Sequence, residues 1–314
     1  MSEAATLLSQ LAGVTLVAVL LSSMLSSALY RPVRRLVSAF GPRTRAAATL
    51  SYALITPGVA LIAIGLNSGS GAAHWPLIEH CHGDQCGNHA PLLAVGSPGH
   101  IGLVAGASLL VLGLAMALFK LLVAGRRQLL TLFNLGHRQD GYIVIDTDSV
   151  VAWCCGLLRP EIVLSRGLLQ RLDTNQVEVV LAHERAHAAR LDNLRHAAVR
   201  WSTSLWPAKQ RTAVRNDIVA DNEACCDAIA LRTAPGRFEE VVEIMATQSQ
   251  CTPAAHQAHF SASQADARTE AAGPKGSRHP AQAYLMLAAV WMVQVVLTGA
   301  VAHPIIEAIA AASV

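Results

Sequence analysis

Two histidines four residues apart, with a glutamate beside the first, make His183-Glu184-Arg185-Ala186-His187 the group in this chain best suited to hold a metal ion and hydrolyse an amide. The surrounding run 176–193, QVEVVLAHERAHAARLDN, leads into the motif through Val177, Val179, Val180 and Leu181 with no Pro or Gly, which is a helix pattern. On a helix, His183 and His187 share one face, so both imidazoles reach a single Zn2+. Glu184 sits one step round from His183, poorly placed as a ligand but able to take a proton from an attacking water and pass it to the leaving amine.

Catalytic zinc normally takes three protein ligands, and a carboxylate on a later helix is one way to supply the third. The run 217–232, DIVADNEACCDAIALR, is helical in pattern and puts Glu223 and Asp227 on one face. Glu223 is the expected third metal ligand, with Asp217 and Asp221 as competitors. Asp227, one turn on, and Asp192, five residues past His187, are better placed to accept from the other ring nitrogens of the ligand histidines. Taken without the upstream motif, the same acids read as a solvated helix face.

The elements that must position these residues lie in a membrane composition: 314 residues, 53% hydrophobic and 14% charged. Four stretches, about 10–30, 48–67, 100–124 and 282–303, are apolar and long enough to cross a bilayer as helices. The segment 31–47 carries Arg31, Arg34, Arg35, Arg43 and Arg45, whereas 68–99 has no Lys or Arg. Positive charge marks the cytoplasmic side, so the expected topology is multi-pass in a cell inner membrane, with both termini outside and residues 125–246 in the cytoplasm. The start of the chain lacks the basic residues of a leader and reads as a retained anchor. A net charge of +3 and 4% aromatic residues argue against direct nucleic acid binding.

In the loop 68–99, Cys81 and Cys86 stand close together among His80, His82 and His89, in the one segment expected to face an oxidising space. A small disulfide-closed loop and a soft-metal site both fit. The adjacent pairs Cys154-Cys155 and Cys225-Cys226 read as buried small apolar residues. Residues 247–281 are rich in Ala, Ser and Gln and read as a flexible linker before the last span, and 304–314 as a short tail outside.

Three motifs in order, GLLRPEIVLS at 156–165, HERAHAARLDN at 183–193 and EACCD at 223–227, resemble the BlaR/MecR-type family of membrane zinc metallopeptidases. HtpX-type membrane metalloproteases are a more distant likeness. The resemblance implies a mainly α membrane protein: four transmembrane helices with an α+β, gluzincin-like zinc peptidase domain between spans three and four. It implies zinc held by His183, His187 and Glu223, Glu184 as base, a cytoplasmic protein substrate such as a transcriptional repressor, and self-cleavage in the linker. The runs Tyr142–Ile145 and Glu161–Leu164 are expected strands beside the active-site helix, either with an exposed edge that could bind an extended substrate or simply as a small packed sheet.

Known members carry a penicillin-binding sensor after the fourth span, and only about eleven residues follow it here, so β-lactam sensing is not carried over. Three functions are therefore set side by side: a signal-responsive regulatory endopeptidase, an HtpX-like quality-control protease, and a non-catalytic metal or redox sensor working through Cys81 and Cys86. Nothing in HERAH is damaged, which speaks against the last. The bilayer is an expected partner, and a second copy of the chain, as a homodimer, is a further candidate.

Overall fold

The computed structural model describes residues 3–68, 80–82, 85–87, 96–139, 141–249 and 279–311. Among the described residues, three helices are long and apolar enough to cross a membrane: α1 (Glu3–Val37), α4 (Pro98–Leu135) and the last described helix, α10 (Pro280–Ala311). The expected second span, 48–67, is instead a bent pair, α2 (Pro42–Ala53) and α3 (Ile55–Ser68), meeting at 44°. The cause is Pro57, which lacks an N–H and whose ring clashes with the carbonyl four residues back, so the ladder breaks at Leu54. Counted as one span, the pair restores four.

These helices meet at two ends. Val14 and Val17 of α1, Leu103 of α4, and Ala302 and Ile306 of α10 form one small core. At the opposite end Tyr30, Tyr52, Val59 and Leu287 join Trp206, Val214 and Ile218, from the polar part of the chain between α4 and α10, in a larger one. There Tyr30, Tyr52 and Trp206 contact one another with ring centroids 5.7–6.1 Å apart. Buried polar groups tie the spans together: Tyr52 Oη donates to the Ser26 carbonyl at 2.8 Å and Ser26 Oγ to Gln294 Oε1 at 2.8 Å. Gly58 of α3 lies under Trp291 of α10, where any Cβ would run into the indole ring.

The 80–87 segment is a hairpin, β1 (His80–His82) with β2 (Gln85–Gly87). After α4 come β3 (Gly136–Gln139), β4 (Tyr142–Ile145), β5 (Ala152–Cys155) and β6 (Glu161–Ser165), in the spatial order β3-β4-β6-β5. The strands expected at 142–145 and 161–164 are present and pair parallel, while β5 pairs antiparallel with β6 and forms an edge. Gly156, at φ 98°, makes the turn after β5, and a Cβ there would press on the Arg159 carbonyl. Among the described residues, five helices follow the sheet before α10: α5 (Arg166–Arg171), α6 (Thr174–Arg190), α7 (Asp192–Ser202), α8 (Ala208–Thr233) and α9 (Pro235–Ser249). Val179, Val180 and Leu181 of α6 pack with Ala152 and Leu164 of the sheet and with Phe238, Val241 and Met245 of α9. The expected linker lies mostly outside the described residues, and the segment expected as a tail is helical through Ala311.

Candidate active site

The HERAH helix, α6, is fixed at its start by a reciprocal cap: the Gln176 backbone N–H donates to Asp173 Oδ1 at 2.9 Å, and the Asp173 N–H to Gln176 Oε1 at 3.0 Å. Its end differs from the single helix read over 176–193. Leu191 takes the left-handed conformation, φ 53° and ψ 44°, so the chain turns and Asp192 opens α7. A β-carbon makes that conformation unfavourable, and Leu is an uncommon residue to hold it. The turn swings Asp192 back toward the motif: its Oδ2 stands 3.0 Å from His187 Nδ1.

On the facing helix, α8, Glu223 and Asp227 are one turn apart and both buried. Asp227 Oδ1 stands 3.0 Å from His183 Nδ1. The opposite ring nitrogens converge: His183 Nε2 and His187 Nε2 are 3.0 Å apart, and each lies 3.5 Å from a Glu223 oxygen. Two ligands about 2.0 Å from one zinc ion at tetrahedral angles would be about 3.3 Å apart, so the three donors fit that ion. Glu223 Oε2 is buried without a hydrogen-bond partner, which a cation there would supply. A His/His/Glu donor set is also one that catalytic zinc uses.

The charges answer to the same geometry. Burial works against a protonated His183, but the carboxylates of Asp227 and Glu223 outweigh it and carry its pKa up to about 9. His187 is likewise disfavoured as a cation by burial, yet Asp192 and then Cys226 and Glu223 raise it well above its ordinary value. Burial opposes ionisation of Glu223, and the two imidazoles reverse the effect and hold it well below the usual carboxylate range. Glu184 is different: burial pushes it up, against the pull of the histidines and of the Cys154 backbone N–H. A carboxyl displaced upward beside side chains able to hold a metal suits a group that must both take and give a proton.

That Cys154 contact places β5 against the site. Asn193 Nδ2 donates to the Cys154 carbonyl at 3.0 Å and to the Gly156 carbonyl at 3.2 Å, so α7 pins the end of the edge strand. Beside it lies a cavity of about 270 Å³, bounded by Ala124 and Gly125 of α4, Cys154 and Leu157, and His196 and Arg200 of α7.

Of the residues expected in the site, His183, Glu184, His187, Glu223, Asp192 and Asp227 are brought together. Asp221 and Asp217, the competing ligands, point elsewhere: Asp221 pairs with Arg34 and Arg45, and Asp217 accepts from Tyr30 Oη at 2.6 Å. Cys81 and Cys86 face each other in the hairpin register, and their side chains lie outside the described residues. Cys225 and Cys155 are buried as expected, but Cys226 does more than fill space, its Sγ lying 3.7 Å from Asp192 Oδ2. Asn193 and Cys226 were legible only as letters in the RLDN and EACCD runs, and Arg34 carried no sequence signal of its contact with α8.

The HExxH spacing of His183, Glu184 and His187 on α6, with Glu223 of α8 facing the two histidines in a group able to hold a metal ion, is that of a zinc metallopeptidase active site. Residues 125–235 match the family model of peptidase family M48. Searches of curated proteins and of solved structures returned no match.

Proposed function

We propose that this protein is a membrane-embedded, zinc-dependent regulatory endopeptidase in which His183, His187 and Glu223 hold the metal and Glu184 is the general base. A zinc ion bound there would polarise the scissile carbonyl as a Lewis acid and lower the pKa of the attacking water. Glu184 accepts the proton from the attacking water at its carboxylate and delivers it to the leaving nitrogen, a role its raised pKa favours. Asp192 and Asp227 each stand 3.0 Å from an Nδ1 atom, Asp192 in a hydrogen bond with His187, and so favour the tautomers that would leave both Nε2 lone pairs for a metal. The observation that carries this reading is that three donors from two helices converge while both outward-facing ring nitrogens meet a carboxylate.

The substrate in this reading is a cytoplasmic protein, a transcriptional repressor among the candidates, as the BlaR/MecR-type resemblance implies. Its cleavage is switched by a signal from the outer hairpin, the spans or a partner. The HtpX-like quality-control reading is kept as the alternative, because the matching family model is M48 rather than one particular to regulatory proteases. To test both, the purified full chain is assayed for bound zinc and for cleavage of cytoplasmic proteins and of unfolded membrane proteins. Stoichiometric zinc with one cut in one cytoplasmic partner supports the first reading; many cuts in unfolded membrane proteins support the second. A wild-type chain with no bound zinc, or Glu184→Ala cleaving as well as wild type, refutes the enzyme.

A further inference from the structure

Apart from the active site, a cavity of about 470 Å³ gathers four guanidinium groups: Arg43 of α2, Arg190 at the end of α6, Arg195 of α7 and Arg232 near the end of α8, with Tyr284 of α10 on its rim. Its size is that of a small-ligand site, typically about 300–1,000 Å³. Like charges are expensive to hold together, and little within the cavity offsets them. Asp192 lies near Arg190 and Arg195, at 3.4 and 3.7 Å, but its Oδ2 is also committed to His187. Arg43 and Arg232 have no ion-pair partner among the described residues, and both are exposed.

Where the cavity sits narrows its ligand. Arg43 is the second residue of α2, at the start of the apolar bent pair, and Tyr284 is the fifth residue of α10, at the start of the last apolar helix. Both segments long and apolar enough to cross a bilayer thus begin beside the cavity, at the end that carries the peptidase fold. A tyrosine at such a boundary sits at headgroup level, and arginine forks match phosphate oxygens.

We propose that Arg43, Arg190, Arg195, Arg232 and Tyr284 form a binding site for a phosphate group at the membrane surface. Its chemistry is that of a phosphodiester on an anionic lipid headgroup or of free inorganic phosphate. Arg190 connects the site to the catalytic residues, since it also donates to Asn222 Oδ1 at 2.8 Å, next to Glu223. This site does not depend on the identity of the protease substrate.

The test uses the zinc-loaded full chain in detergent and native mass spectrometry with added phosphatidylglycerol, or phosphatidylcholine with the same acyl chains. Wild type is expected to retain one phosphatidylglycerol in preference to phosphatidylcholine. The Arg43→Gln/Arg232→Gln double variant should hold it roughly 30-fold more weakly, taking each juxtamembrane arginine at its usual worth. Arg126→Gln/Arg127→Gln, which removes two arginines of α4 that do not line the cavity, should bind as wild type. The two single variants, Arg43→Gln and Arg232→Gln, serve if the double variant does not fold. If millimolar inorganic phosphate raises the melting temperature of wild type but not of the double variant, and no lipid preference is seen, the ligand is free phosphate and the site stands. Equal retention by wild type and the double variant, with no response to phosphate, overturns it. So does saturation by a short oligoglutamate alone, which would assign the cavity to a protein partner.

Discussion

Asp221, two residues before Glu223 on α8, is held by Arg34 of the first membrane helix, with Arg34 Nη2 donating to its Oδ1 at 3.0 Å. Arg45 Nε reaches the same oxygen at 2.9 Å, and Asp221 is only 1% exposed. Two residues on a helix are about 200° apart, so α8 shows Asp221 to the membrane helices and Glu223 to α6. Asp221→Asn leaves two arginines facing a neutral group in a closed setting and should destabilise the protein by about 3 kcal/mol. Thermal unfolding in detergent reads this directly, and an unchanged melting temperature would show that the pair does not bind α8 to α1.

Glu184→Gln keeps size and burial while removing the base. Zinc content should stay stoichiometric and cleavage fall by roughly 10²–10⁴-fold, the usual worth of a positioned acid–base group. Loss of zinc in this variant would instead make Glu184 a structural member of the cluster.

Asp192→Asn and Asp227→Asn test the carboxylates behind the histidines. Each should weaken zinc binding by about 10–100-fold, measured by competition with a chromophoric chelator, while Glu223→Ala should abolish stoichiometric binding. Asp217→Asn, on the same helix but turned to Tyr30, should leave zinc affinity as it is.

Protonation gives a fourth prediction. In the metal-free protein the raised pKa of His183, about 9, and that of His187 mean that protons occupy the site at neutral pH. Their Nε2 atoms are 3.0 Å apart, which disfavours protons on both, so zinc should release between one and two protons at pH 7. Calorimetry in buffers of different ionisation enthalpy counts them. Groups with raised folded pKa values stabilise fully below the unfolded value of about 6.5 and lose that contribution as pH climbs through 9. The metal-free form should therefore melt lower at pH 9 than at pH 6.5. Glu223, depressed, works in the other direction and withdraws its stabilisation only in acid, below its unfolded value. A metal-free melting temperature that rises from pH 6.5 to 9 would exclude the charged pairs.

The site was legible because helical spacing is local: His183 with His187, and Glu223 with Asp227, each need only one turn of one helix to share a face. Asp192 was expected to back a ligand histidine, though the means were hidden, since nothing marks Leu191 as left-handed. Pro57 did announce a break, and hydropathy alone drew the span straight through it. Arg34 and Asp221 are 187 residues apart, and no spacing rule connects them. The parallel pairing of β4 with β6 was likewise invisible, because strand composition reports burial and not direction.

The core shared by Tyr30, Tyr52, Trp206, Val214 and Ile218 has a bearing on what can be separated from what. The stretch that matches a peptidase family begins at residue 125, yet part of the scaffold for its metal helix is supplied by residues 30–59. Cut away from them, α8 would present an apolar stripe and the Asp221 carboxylate, stripped of Arg34 and Arg45, to water. The peptidase is not a portable cassette carried by a membrane tether. Its metal-site helix α8 shares one core with helices α1 to α3, so the fold that carries the site extends beyond the stretch that matches the family.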